Sequence, residues 1–154
     1  MTSISYEDVY SIFLSSITDY NLLNADDAEV YDQFAEMLHK VAASTYIRRL
    51  FTTFTMNDQT LTIEYEMKNP SVDETEDKEF LVNVLAKGMI EEWVRPQVNK
   101  TSLTAQMFGG KEQKMFSQSQ HLAELRALLD SARLEKRKMI RERGYIYNPY
   151  LEET

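Results

Sequence analysis

The residues able to do chemistry are few and dispersed. His39 and His121 are the only imidazoles, and cysteine is absent. Histidine acid–base work needs a second group within hydrogen-bond reach. No motif surrounds either histidine, so each reads as a partly exposed helix residue. The lack of thiols removes disulfides, thiolate metal sites and cysteine nucleophiles, and fits a chain made in a reducing cytoplasm. Acid pairs occur at Asp26-Asp27, Glu76-Asp77 and Glu91-Glu92. Neighbours on a helix point about 100° apart, so such pairs suit a solvated face better than a shared metal or proton. Gly109-Gly110-Lys111 superficially resembles a phosphate loop but lacks the G-x-x-x-x-G-K-[ST] spacing that lets amides cradle a phosphate. No residue is therefore assigned a catalytic, cofactor-binding or metal-binding role, and the chain reads as non-enzymatic.

Two other groupings suit binding. Arg133, Lys136, Arg137, Lys138, Arg141 and Arg143 crowd one stretch, offset only by Glu135 and Glu142. Such a run can complement a helix C-terminus, meet an acidic protein partner or contact DNA phosphates. An acidic chain with no aromatics interleaved in the run argues against a dedicated nucleic-acid binder. After Gly144 come Tyr145, Ile146, Tyr147, Tyr150 and Leu151, with Pro149 among them. These apolar residues are too few to form a core, so they either fold back on their own subunit or dock on a partner. Arg137, Lys138, Arg141, Arg143, Tyr145, Ile146, Tyr147, Tyr150 and Leu151 are accordingly the predicted partner interface.

Charge is unevenly placed. Residues 1–80 hold 16 acids and 5 bases, residues 81–154 hold 9 and 12, and the net is −8. Each half could simply have its own solvated face. Alternatively, the acidic part of one copy meets the basic part of the next, as a head-to-tail ring contact requires. The start lacks the basic flank and apolar run of a secretion signal, and no stretch approaches the roughly 20 apolar residues of a membrane span.

The elements that must position these groups are mainly helical, as four glycines and three prolines in 154 residues suggest. Ser5 and Asp8 resemble a capping box opening a helix over Tyr6–Ile17. Asn24 is a candidate cap for a second helix, from about Ala25 into Tyr46–Leu50 with a break near Ser44. The period then falls to two, and Leu61, Ile63, Tyr65 and Met67 alternate with polar residues after an Asn57-Asp58 turn. This predicts a β-hairpin near 52–67. It must lie against helices or pair with another copy. A third helix follows the acidic stretch SVDETEDKE and should end or kink at Pro96. Within it Gly88, at a cost of about 1 kcal/mol against alanine, suits a close approach by another element. A connection spans Val98–Ser117, and a last helix runs from Gln118 to Arg143, where Gly144 is placed to stop it. The expectation is one domain: a small helical bundle with a hairpin over 1–143, then an extended C-terminal tail over 144–154.

The runs LAKGMIEEWVRPQVN (Leu85 to Asn99), FGGKEQKMFSQSQHLAELRALL (Phe108 to Leu129) and RKMIRERGY (Arg137 to Tyr145) resemble the head-tail connector proteins of long-tailed phages of Gram-positive hosts. The opening YEDVYSIFLSSITDYNLL (Tyr6 to Leu23) is similar in the same way, with an ITDY-like turn after the first helix. The resemblance covers about two thirds of the chain. It implies an adaptor made in the host cytoplasm and built into the virion neck as a homo-oligomeric ring, dodecameric to match the portal. Its partners would be the portal protein, a tail-side stopper or tail protein, and DNA passing without sequence recognition. The alternatives are a helical partner-binding or regulatory protein and another neck or tail-completion subunit.

Overall fold

The computed structural model describes residues 2–17, 27–107 and 112–146, with side chains described over 2–17, 30–99 and 120–143. In chain order its elements are β1 (Thr2–Ser5), α1 (Tyr6–Ser16), α2 (Asp27–Ala42), α3 (Thr45–Arg48), β2 (Phe51–Asn57), β3 (Thr62–Met67), α4 (Glu74–Met107) and α5 (Glu112–Ile146). The fold is mainly α, with a small three-stranded antiparallel sheet. No helix among the described residues is long and apolar enough to cross a membrane.

The capping box forms as the sequence implies. Ser5 Oγ accepts from the Asp8 amide at 3.2 Å, and the Asp8 carboxylate accepts from the Ser5 amide at 3.4 Å. The second helix breaks at Ser44, as expected, leaving α3 as a short separate turn. The candidate cap Asn24 and the Thr18–Tyr20 part of the ITDY-like turn lie outside the described residues.

The hairpin is present, but β3 is its central strand: β1 pairs with β3 on the side opposite β2, with Ile4 facing Ile63. Strand β1 was not legible in four residues of mostly small polar character. Along β2 the register shifts between Phe51 and Thr53. This bulge lets Phe51 and Phe54, three residues apart, share the inner face with ring centroids 4.9 Å apart. The turn is closed by Asn57 Oδ1, which accepts from the Gln59 and Thr60 amides. Leu61 takes the left-handed conformation at φ 55, unfavourable for a branched side chain. Its carbonyl accepts from the Tyr6 amide at 2.8 Å, tying the turn to the start of α1.

Helix α4 is the axis of the molecule. Leu81, Val84, Leu85, Ala86, Met89 and Ile90 are buried, and α1, α2 and α5 all pack against this helix. Phe13, Phe34 and Trp93 interlock edge to face where the three inner helices meet. A β-carbon at Gly88 would overlap Val41 Cγ1 and lie 3.1 Å from Cγ2, so this glycine admits α2.

Three sequence-based boundaries are corrected. Helix α4 continues through Pro96 to Met107, although proline removes an amide and crowds the preceding turn. Packing along α5 offsets that loss, and Gln97 Nε2 donates to the Trp93 carbonyl at 3.1 Å beside it. Most of the connection expected over Val98–Ser117 is therefore helical, Gly109-Gly110-Lys111 lying outside the described residues. Helix α5 also passes Gly144 to reach Ile146, so the tail expected from 144 begins no earlier than 147. Glycine permits a left-handed stop without compelling one, and Arg143 anchors the final turn in helical geometry.

Candidate functional site

The last turns of α5 place Arg133, Arg137 and Arg141 four residues apart on one stripe. Lys136 and Ile140 flank them, Glu91 and Arg95 face them from α4, and Tyr46 from α3 closes the side of a cleft of about 530 Å³. Glu91 is 5% exposed. Its carboxylate lies 2.9 Å from Lys136 Nζ and 3.6 Å from Arg95, which also pairs with Glu92 at 3.1 Å. Lys136 and Arg95 thus answer Glu91, the acid that lines the cleft. Arg133, Arg137 and Arg141 have no carboxylate partner among the described residues. Guanidinium groups keep their charge at any physiological pH and match carboxylates or phosphates through paired N–H donors. What the arrangement can do is hold an anion beside an exposed aromatic ring.

The predicted interface residues separate in the structure. Arg137 and Arg141 line the cleft. Lys138 is exposed off the cleft, 3.8 Å from Glu142. Arg143 does not belong to an exposed surface and is corrected here: it is 8% exposed and turned into its own subunit. There it donates to Asp77 at 2.7 Å and to the Asn69 carbonyl at 3.0 Å, with its guanidinium 4.7 Å from the Phe80 ring centroid. A charge this deep must be paired, and Asp77 supplies the pair. The solvated-face reading of Glu76-Asp77 and Glu91-Glu92 is likewise corrected for Asp77 and Glu91, both buried. Tyr145 and Ile146 fall on the backbone of α5, their side chains outside the described residues, as are Tyr147, Tyr150 and Leu151 altogether. Tyr46 and Arg95 went unnoticed in the sequence, because nothing local connects them with α5.

One further polar cluster was missed. His39 Nε2 and the Tyr6 hydroxyl both lie 2.7 Å from Asp58 Oδ1, fastening the hairpin turn to α1 and α2. The Tyr6 bond, then the His39 bond, hold the Asp58 carboxyl below its ordinary value. Burial, reinforced by Asp58, pushes the Tyr6 hydroxyl far up, so it is poised to donate a hydrogen bond rather than to ionise. Beside β3 a second hollow, of about 440 Å³, is lined by Tyr65, Glu66, Glu74 and Asp77. Among the described residues no three His, Cys, Asp or Glu side chains are grouped to hold a metal ion.

No family model matches the chain, and neither a curated protein nor a solved structure is found to be similar to it.

Proposed function

We propose that this chain is a non-catalytic head-tail connector subunit of a long-tailed phage. It assembles as a homo-oligomeric ring below the portal protein, joins it to a tail-side stopper or tail protein, and surrounds the DNA conduit. The observation that carries the reading is the row Arg133, Arg137 and Arg141, which line the cleft without a carboxylate partner among the described residues, in a chain of net charge −8. Within one subunit such a row repels itself and gains little, whereas an acidic protein partner turns it into charge-assisted hydrogen bonds. The order of the quoted runs, Glu92-Trp93 before Pro96 and a basic end on the last helix, supports the phage reading specifically.

The test is the mass of the species formed on purified portal compared with that of the free protein. A closed ring on the portal and a monomer or small oligomer in solution is the expected pair of results. A chain that stays monomeric and never associates with portal in a pull-down overturns the proposal.

A further inference from the structure

The proposed ring needs two surfaces that meet, and the basic cleft is one of them. The start of α4 has the opposite character. Asp73, Glu74, Glu76 and Glu79 are exposed there, and none has a cationic partner among the described residues. Among the described residues these carboxylates accept from hydroxyls and an amide: Thr2 to Glu74, Ser71 to Glu76, and the Thr75 amide to Asp73. Acids in a first helical turn do favour the helix dipole. That does not account for Val72, which precedes them and, at 108% relative exposure, is the most exposed of the large hydrophobic side chains among the described residues. A projecting valine followed by four uncovered carboxylates has the form of a plug.

We propose that this plug enters the basic cleft of a second copy of the chain. This rests on the ring reading and deepens it by naming both faces of the contact. Val72 lies against Tyr46 and Ile140 of the receiving copy, and the carboxylates of Asp73, Glu74, Glu76 and Glu79 meet Arg133, Arg137 and Arg141. The dimensions agree: eight residues from Arg133 to Arg141 rise about 12 Å, and five from Glu74 to Glu79 rise about 7.5 Å. Within one copy no residue of the plug lines the cleft, and among the described residues no ion pair joins the plug carboxylates to Arg133, Arg137 or Arg141. In the proposed ring the contact is heterologous, plug to socket, and repeats from copy to copy.

The absence of cysteine makes the contact directly testable by disulfide trapping in the full chain. A Val72→Cys chain mixed with a Tyr46→Cys chain should form covalent dimers roughly ten-fold faster than Val72→Cys mixed with Leu134→Cys, since a disulfide needs its β-carbons about 4 Å apart. Leu134 is exposed on α5 and does not line the cleft. The advantage should shrink in strong salt. Equal rates for the two mixtures overturn the proposal. Charge reversal gives the second arm. Arg137→Glu/Arg141→Glu and Glu76→Lys/Glu79→Lys should each lose self-association, with helical circular dichroism unchanged, while the two variants mixed should regain it as an alternating assembly. Failure of the mixture to recover, with both variants folded, also overturns it. If trapping and recovery succeed but the assembly ignores portal, the connector reading fails and the contact between copies stands. If rings form on portal while the trapping rates are equal, only the contact named here is wrong.

Discussion

Arg143 and Asp77, 66 residues apart in sequence, meet at 2.7 Å with both side chains almost wholly buried, joining the end of α5 to the first turns of α4. Asp77 also accepts from the Ser71 amide at 2.9 Å, so the same carboxylate holds the turn that leads into α4. Arg143→Met should destabilise the fold by about 3–5 kcal/mol, because it strands a buried carboxylate. Pairing it with Asp77→Asn should recover part of the loss. Urea denaturation of the two single variants and the double variant checks this, and strict additivity would contradict the coupling.

The Asp58 junction sets an acid dependence. Its folded-state pKa lies below the ordinary value of 3.8. The contribution to stability is therefore full above that value and is lost as pH falls through the lower folded value. Asp58→Asn should make the melting temperature fall less steeply between about pH 5 and pH 2. Parallel pH profiles for the two proteins would refute the assignment.

At Gly88 two effects oppose each other. Alanine raises helix propensity by about 1 kcal/mol, but its methyl group would occupy the space of Val41 Cγ1. Overpacking costs about 1–3 kcal/mol in a filled core, so Gly88→Ala should be neutral to destabilising by about 2 kcal/mol. Val41→Ala in the same chain should reverse the sign of the Gly88→Ala effect, since it removes the obstructing methyls. Thermal unfolding of the four-member cycle reads it.

Truncation after Ile146 removes Tyr147, Tyr150 and Leu151 and leaves the Arg143–Asp77 pair in place. If these aromatics serve attachment, the shortened chain should melt nearly as the intact one does yet fail to bind portal. A large fall in melting temperature would mean that they cover their own subunit.

How much could be read from the sequence follows from how local each determinant is. The Ser5–Asp8 box, the interruption at Ser44 and the two-residue period of β3 lie within a few positions of the residues that cause them. All three were legible. An end of α4 at Pro96 is what the local penalty favours, while the packing that carries the helix through to Met107 comes from α5. Asp77 and Glu91 read as solvated acids in the sequence because their partners, Arg143 and Lys136, are distant along the chain. The cleft has the same character: Arg137 and Arg141 could be singled out from their run, but that Tyr46 and Arg95 stand opposite them depends on the tertiary fold.

Among the described residues the α4–α5 pair carries three cross-links of opposite charge at successive levels: Asp77 with Arg143, Lys87 with Glu135 and Glu91 with Lys136, at 2.7, 2.6 and 2.9 Å. Sliding one helix past the other by a single turn moves every partner by about 5.4 Å, which breaks all three together and leaves two buried acids, Asp77 and Glu91, facing the wrong neighbours. The observed alignment keeps both buried acids paired, and from Asp77 to Glu91 the two helices behave as one strut. A push on the two helices at the level of Glu91 and Lys136 would then reach the sheet end as a displacement of both together.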